Sequence, residues 1–345
     1  MLPTEMNKSG APSPPGMLPP EEVIFGRSDA MRGVRQVVRK VIGTDVPVLL
    51  EGDGGTGKEI LARWIHTHSP WKSGPFVKLN CAAIPGTLLE SELFGFEKGA
   101  FTGAIQRKPG RVELAQSGTL FLDDIAEIDR SLQAKLLQFL QDGRFSKIGG
   151  QEEQIAQTRV ICATNKNLEG EIGAGRFRSD LFYRINVVRI HLPRLRERLE
   201  DIPMLAEYLR NLHIMQFGLE REPLSGDMIC CLQRFDWPGN IRELSNTIAR
   251  YLLIGPEAIT ALVTRGTSPK LAGKTINHTP LSLKRVAKKA IVEMERGLIL
   301  QALRANHWNR RRAAQDLKIS YRALIYKIRE GGIGAEKSAN PEQRK

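Results

Sequence analysis

The chain has 345 residues, with 51 Lys plus Arg against 38 Asp plus Glu and a formal net charge of +13. At 41% hydrophobic and 26% charged residues, the composition is globular rather than disordered, and the length suits two or three domains. No apolar run of about 18 residues occurs, which excludes a helical membrane span, and the first twenty residues lack the apolar core of a secretory signal. The charge is uneven: residues 266–345 carry 18 basic and 6 acidic side chains, whereas residues 1–265 carry 33 and 32. A near-neutral body bearing a basic C-terminal module points to nucleic acid as a partner of that module. The four cysteines, Cys81, Cys162, Cys230 and Cys231, form no C-x-x-C and have no zinc-spaced neighbours, as expected of reduced, mostly buried thiols in a cytoplasmic protein. His66 and His68 have no third ligand nearby and are expected to pack rather than bind metal.

Residues 1–22, with six prolines among the first twenty, read as a disordered leader. Met31, Val34, Val37, Val38 and Val41 recur at helical spacing. Val46–Leu50 is a short apolar strand ending in a Gly-rich turn, and Glu59–His66 is a helix. Further strands are expected at Phe76–Leu79, Thr119–Leu122 and Val160–Ala163, with a helix over Ser131–Leu140. Strands alternating with helices predict a parallel sheet covered on both faces, an α/β subdomain over residues 23–194. From Leu195 to Ile254 only helical periodicity remains, which predicts a helical lid subdomain over residues 195–262. Residues 263–280 read as a linker, 281–333 as a basic all-α domain and 334–345 as a disordered tail.

Gly52-Asp53-Gly54-Gly55-Thr56-Gly57-Lys58 fits G-x-x-x-x-G-K between a predicted strand and a predicted helix. Glycines there let backbone N–H groups wrap phosphates, the helix N-terminus adds positive potential, and Lys58 reaches the β- and γ-phosphates. Glu59 stands where Ser or Thr normally touches Mg²⁺. Asp123 and Asp124 end the apolar strand Leu120–Leu122, at the edge where a parallel sheet meets its ligand. Asp123 is expected to hold Mg²⁺ and Asp124 to polarise the attacking water, so ATP and Mg²⁺ are the expected ligands.

Gly99-Ala100-Phe101-Thr102-Gly103-Ala104 reads GAFTGA. This hexapeptide resembles the signature loop of the bacterial enhancer-binding proteins, AAA+ ATPases that activate RNA polymerase carrying sigma-54. Further matching stretches are Leu79–Ala83, Ser91–Gly95, Ala163–Asn165, Phe177–Leu181, Leu195–Arg198 and Trp237–Leu244. The P-loop with Glu59 also looks like the family's own form, G-x-x-G-T-G-K-E. The resemblance implies an AAA+ P-loop NTPase and a role for each residue. Asn80 would be the switch that contacts the catalytic acid, Thr164 and Asn165 the first sensor, and Arg242 the second sensor. Arg178 and Arg184 would be arginine fingers reaching the neighbouring subunit's nucleotide, so that hydrolysis depends on assembly into a ring hexamer. The GAFTGA loop is expected to expose Phe101 and to meet sigma-54 and adjacent promoter DNA, with a second pore loop over Ile148–Glu153. Two departures stand out. The family usually has Asp-Glu where this chain has Asp123-Asp124, and the shorter carboxylate is expected to sit about 1–1.5 Å farther from the water, enough to slow hydrolysis. The chain is also expected to lack the N-terminal sensory domain that most relatives carry.

In the basic region, Asn309 is expected to cap a helix over Arg310–Leu317, and Ser320 a second over Tyr321–Arg329. The pair reads as a helix-turn-helix resembling the Fis-type DNA-binding domain. Arg310, Arg311 and Arg312 would clamp phosphates, while Ser320, Tyr321, Arg322, Tyr326, Lys327 and Arg329 lie on the DNA side. Dimerisation through the preceding helix implies an inverted-repeat site in double-stranded DNA. The expected function is ATP-dependent activation of sigma-54 polymerase from an upstream site by a cytoplasmic protein with no membrane partner. The alternative is a DNA-binding regulator with a weak or inactive ATPase, which acts by nucleotide-dependent assembly.

Overall fold

A computed structural model describes residues 18–219 and 222–259, and, near the C-terminus, residues 306, 309–316, 321 and 324. The chain divides into two units between Ser268 and Pro269. In the first unit, α1 (Glu21–Phe25) and α2 (Asp29–Val41) lead into β1 (Val48–Glu51), α3 (Lys58–Thr67), β2 (Phe76–Asn80) and α4 (Gly86–Phe94). A small antiparallel pair, β3 (Gly95–Phe96) and β4 (Lys108–Pro109), precedes α5 (Arg111–Leu114) and β5 (Thr119–Asp123). After α6 (Arg130–Asp142) come a second hairpin, β6 (Arg144–Ser146) and β7 (Glu153–Ile155), then β8 (Arg159–Thr164), α7 (Leu168–Gly173), α8 (Ser179–Ile185) and β9 (Val188–His191). Three helices follow: α9 (Ile202–Phe217), α10 (Gly226–Arg234) and α11 (Asn240–Ile254).

The main sheet is parallel, in the order β2-β5-β8-β1-β9. Each central strand sends alternate side chains to opposite faces, which is why these strands read as unbroken apolar runs. Leu49, Leu120, Leu122, Val160 and Cys162 pack on the α4–α8 side. Val48, Leu50, Phe121, Ile161 and Ala163 pack on the α1–α3 side. Fully burying such a side chain contributes about 1.5–3 kcal/mol, so both helical layers are held by the sheet's own alternation. The helix ends follow local chemistry. Asp129 caps α6 by accepting from the Leu132 amide at 2.9 Å, and left-handed Gly143 ends it. Arg159, wholly buried at the start of β8, donates to the carbonyls of Val41, the last residue of α2, and of its cap Ile42, at 2.8 and 3.1 Å.

The α9–α11 layer has its own core around Leu205, Trp237, Leu244, Ile248 and Tyr251. The Trp237 indole donates to the Leu232 carbonyl at 2.8 Å.

Several expectations need adjusting. Leu18 packs against the α1–α3 side and α1 starts at Glu21, so ordered chain reaches into the last residues of the expected leader. The two hairpins carry no sequence-length signal and were not anticipated; β3 and β4 are two residues each. Cys81 and Cys162 are buried as expected, whereas Cys230 on α10 is exposed and Cys231 half-buried. His66 is buried against the Thr119 hydroxyl at 2.9 Å and His68 stacks on Trp64, both packing roles. The linker over 263–280 and the tail over 334–345 lie outside the described residues. Among the described residues no helix is long and apolar enough to cross a membrane.

Gly26 joins α1 to α2 at φ +63, and a Cβ there would run into the Asp201 carboxylate. That carboxylate accepts from the Arg27 and Ser28 amides and the Ser28 hydroxyl, pinning the N-terminal segment to the start of α9. Gly26→Ala is expected to cost about 1–3 kcal/mol through the strained backbone. Thermal unfolding should show a fall in Tm of several degrees; an unchanged Tm contradicts this account of the junction.

Candidate functional site

The strand order places three C-terminal strand ends side by side: β5 with the two acids, β8, and β1 with the Gly-rich turn. Because β8 lies between the other two, Asn165 just beyond it sits between the turn and the acids. A cleft of about 680 Å³ opens there, lined by Gly54–Glu59, Lys78, Asn80, Asp123, Asp124, Asn165 and Arg242. Gly52 and Asp53 do not line it. Gly52 is buried at the strand end, its amide bonded to the Thr164 carbonyl at 3.3 Å, and the Asp53 carboxylate pairs with Arg194 at 2.7 Å. Thr164 is itself buried, its hydroxyl accepting from the Lys166 amide at 3.0 Å, so only Asn165 of the expected sensor pair faces the cleft.

Lys58 folds back along the turn, its Nζ donating to the carbonyls of Gly52 at 2.7 Å and Asp53 at 3.2 Å. Burial pushes its pKa down, opposed by the charges of Asp123, Asp124 and Asp53. Asp123 moves the other way: burial and the adjacent Asp124 raise it, while Lys78 and Lys58 pull it back. Asp124 adopts left-handed backbone angles, φ 54 and ψ 50, as the cap of the following turn Ile125–Glu127. Asn80 lines the cleft, but its side-chain carbonyl accepts from the Ala82 and Ala83 amides at 3.0 and 3.1 Å. The cap takes only the side-chain oxygen; the Asn80 amide nitrogen, the atom that could donate to the catalytic acid, makes no such contact among the described hydrogen bonds.

Two contributors were missed in the sequence. Lys78, which shares the face of β2 with Asn80, lies 2.5 Å from Glu59 and 3.7 Å from Asp123. Partial burial raises the Glu59 pKa, but hydrogen bonds from Lys78 and Arg63 outweigh it and hold Glu59 below its ordinary value. Strand alternation beside Asn80 is the signal that could have found Lys78. The second is Asn240. Its amide nitrogen donates to the Gly54 carbonyl at 3.0 Å and its oxygen accepts from the Leu195 amide at 2.9 Å. The Ile241 amide adds a bond to the Gly55 carbonyl at 3.0 Å. The start of α11 thus clasps the Gly-rich turn, and Arg242 one residue on is carried to the cleft.

Comparison with known proteins gives a consistent result. Residues 24–191 match the sigma-54 interaction domain, 196–263 the AAA+ ATPase lid domain, and 290–331 the Fis family of bacterial regulatory proteins. The response regulator protein PilR of Pseudomonas aeruginosa is 41% identical over 321 residues, covering 91% of this chain and 71% of PilR. The chain belongs to the sigma-54-dependent transcriptional activators. The DNA-binding transcriptional regulator NtrC of Escherichia coli is 39% identical, with 91% of this chain and 71% of NtrC covered. The Nif-specific regulatory protein of Azotobacter vinelandii is 42% identical, and the chain spans 60% of its length. The crystal structure of NtrX from Brucella abortus in complex with ATP shares 33% identity, with a TM-score of 0.62 over 89% of this chain and 68% of NtrX.

In this activator, Arg178 precedes α8, Arg184 lies in its last turn, and neither lines the cleft of its own chain. Arg178 pairs with Asp180 at 2.5 Å, and Arg184 donates to the Leu140 carbonyl at 2.6 and 2.8 Å. The GAFTGA loop is closed at its base by β3 and β4 and turns at Gly99 and Gly103, both left-handed. Phe101 is 43% exposed, its ring edge-on to Phe96 at 4.9 Å, and Thr102 is exposed. Ala104 departs from expectation: it is buried, its amide and carbonyl bonding Phe101 and Gly99, so it braces the loop rather than presenting a surface. Ile105, not anticipated, is 78% exposed beside it. Ile148, at the start of the expected second loop, bridges Phe96, and Gly149 lies against Ala100, so the two loops touch.

In the C-terminal unit, the described residues include α12 (Arg310–Asp316). The Asn309 side chain accepts from the Arg312 amide at 3.3 Å, the expected cap. Arg310, Arg312 and Tyr321 are exposed, while Ala314 and Leu324 are buried. The Arg311 side chain and Ser320, Arg322, Tyr326, Lys327 and Arg329 lie outside the described residues.

Removing the clasp tests its part in the site. Asn240→Ala leaves the Gly54 carbonyl and the Leu195 amide without their partner and is expected to cost about 1–3 kcal/mol. It should lower both the Tm of the free protein and the further rise caused by ATP; an unaltered ATP-induced rise contradicts the clasp.

Proposed function

We propose that the protein assembles into a ring, hexameric as in the sequence expectation, and hydrolyses ATP between subunits. It spends each turnover on pushing the Phe101–Thr102 loop against sigma-54 polymerase held at a closed promoter, converting it to the open complex. The observation that carries this reading is the single cleft that gathers Gly54–Lys58, Asp123, Asp124, Asn165 and Arg242 at the ends of β1, β5 and β8.

The residues fit ATP and Mg²⁺. A partly buried pair of carboxylates beside a buried lysine is a hard-oxygen donor set of the kind Mg²⁺ takes. Asp123 would hold the ion, which when bound neutralises charge on the phosphate oxygens. Lys58 would exchange its two carbonyl partners for phosphate oxygens, with the turn's amides completing the cradle. Asp124 would orient the attacking water, while Asn165 and Arg242 report γ-phosphate to the sheet and to the lid. Arg178 and Arg184, turned away from their own cleft, suit a role in trans: leaving Asp180 and the Leu140 carbonyl for a neighbour's phosphate would make turnover depend on assembly.

The basic C-terminal unit would hold the ring at an upstream, inverted-repeat site in double-stranded DNA. Arg310, Arg311 and Arg312 would serve phosphates and the helix from Ser320 would read bases. Both proposed partners are cytoplasmic, which supports a cytoplasmic location for the protein. One observation favours the rival reading, assembly without turnover: Asp124 is a methylene shorter than the family's usual Glu. Its left-handed backbone is the feature that could bring the short carboxylate back toward the water.

ATP hydrolysis per subunit should rise steeply with protein concentration, and an undetectable rate at every concentration contradicts turnover. Asp124→Glu should raise the rate if reach is limiting, by up to about a hundredfold; no change removes that explanation. Deleting residues 281–345 should abolish sequence-specific DNA binding while the ATPase persists, and loss of the ATPase instead would place the unit boundary elsewhere.

A further inference from the structure

Arg198 lies in the short connection from the sheet to the lid, between two single-turn helices, Leu195–Glu197 and Leu199–Asp201. It is only 3% exposed, and its Nε hydrogen-bonds to no described residue. Burial lowers its pKa, and among the described residues the charge that opposes this is Asp201. That carboxylate is already taken: Oδ1 accepts from the Arg27 and Ser28 amides at 2.6 and 3.0 Å, and Oδ2 from the Ser28 hydroxyl at 2.8 Å. A buried guanidinium without hydrogen-bonded compensation is costly and persists where a ligand repays it.

The ligand is indicated by where Arg198 sits. It lines the same cleft as Lys58, in company with Val23, Ile24, Leu205 and Leu209. Phosphates belong with Lys58 and the Gly-rich turn. The remainder is mostly aliphatic, with Tyr208, Gln216 and Ser245 also on its wall, and Arg198 is its buried charge; such a site suits a flat, largely apolar ring carrying acceptor atoms, since Arg is a donor only. Adenine has that character: its ring nitrogens accept, and its faces suit aliphatic walls.

We propose that Arg198 recognises the adenine base, its guanidinium donating to a ring nitrogen of the bound nucleotide. The inference rests on the ATP-binding reading of the cleft and adds its base-reading residue. Because Arg198 belongs to the connection into α9, base occupancy also fixes the joint between sheet and lid.

The test is calorimetric titration of the full chain, unmodified and as Arg198→Met, with ADP and with inorganic tripolyphosphate, which has no base. ADP binding should weaken about ten- to a hundredfold in Arg198→Met, the worth of a charge-assisted hydrogen bond, while tripolyphosphate binding stays unchanged. The Tm of ligand-free Arg198→Met should be equal to or above the unmodified value, since an apolar side chain of similar length replaces an uncompensated buried charge. Among 1-deaza-, 3-deaza- and 7-deaza-ADP, at least one should bind the unmodified protein about tenfold more weakly than ADP and show no such difference in the variant. Unchanged ADP affinity, or equal weakening of ADP and tripolyphosphate, overturns the proposal. If Arg198→Met does not fold, Arg198→Lys decides by the same comparison, and the deaza series on the unmodified protein decides without any variant. An unmodified protein that binds neither compound contradicts the ATP reading itself.

Discussion

The structure turns on the bond pair made by Asn240. One side chain donates to the Gly54 carbonyl and accepts from the Leu195 amide, tying the Gly-rich turn, the sheet-to-lid connection and the start of α11 together. Trp237 and Asn240 both adopt positive φ, a strained course held in place by the buried Trp237 indole and its bond to Leu232. Through this clasp the Gly-rich turn is bonded directly to the first residues of the lid helix α11. Arg242 is carried into the cleft by the same helix, which under the proposed function would link a change at the phosphates to a change in lid position. At the far edge of the lid connection, Asp201 fixes the N-terminal segment, which closes the cleft from the other side.

The cleft's charges are balanced in the same economical way. Lys58 and Lys78 face Asp123, Asp124 and Glu59 within one half-buried site, and each is held by a partner it could exchange. Lys58 is bonded to carbonyls of its own turn, and Lys78 bridges Glu59 and Asp123. Binding a phosphate chain would therefore exchange one set of ionic contacts for another rather than create them in water, which keeps the charges preorganised. The two loops beyond β3 and β6 are also interlocked. Phe101 leans on Phe96, Phe96 bridges Ile148, and the buried Lys147 lies 2.7 Å from Glu113 and 3.8 Å from Glu97.

Much of this was legible in the sequence, for identifiable reasons. The buried strands declared themselves as apolar runs because both faces of the sheet are covered, and the Gly-rich turn and the two acids mark its active edge. The match of Gly99–Ala104 and the other quoted stretches carried the family. What escaped were features made by contacts distant in sequence. Arg198 stood within a quoted stretch, yet only the fold shows its guanidinium buried in the cleft with Asp201 already engaged by the N-terminal segment. Asn240 was likewise quoted without a role, since its partners Gly54 and Leu195 are 186 and 45 residues away. The Asn80 oxygen is taken by its own turn, which leaves only its amide nitrogen for the cleft, and Ala104 was counted on a surface from which two backbone bonds withdraw it. Local hydrogen bonding decided both, and no residue spacing reports it.

The account's central claim is that ATP turnover in this cleft is delivered through the Phe101–Thr102 loop to polymerase. The most direct measurement is strand opening at a sigma-54 promoter, followed by reactivity of unpaired thymines, with the full chain, sigma-54 polymerase and ATP. Opening is expected with ATP and absent with a non-hydrolysable analogue, and it should be lost in Phe101→Ala with the ATPase retained. Opening that proceeds with the analogue, or no opening with ATP while hydrolysis is brisk, would contradict the coupling.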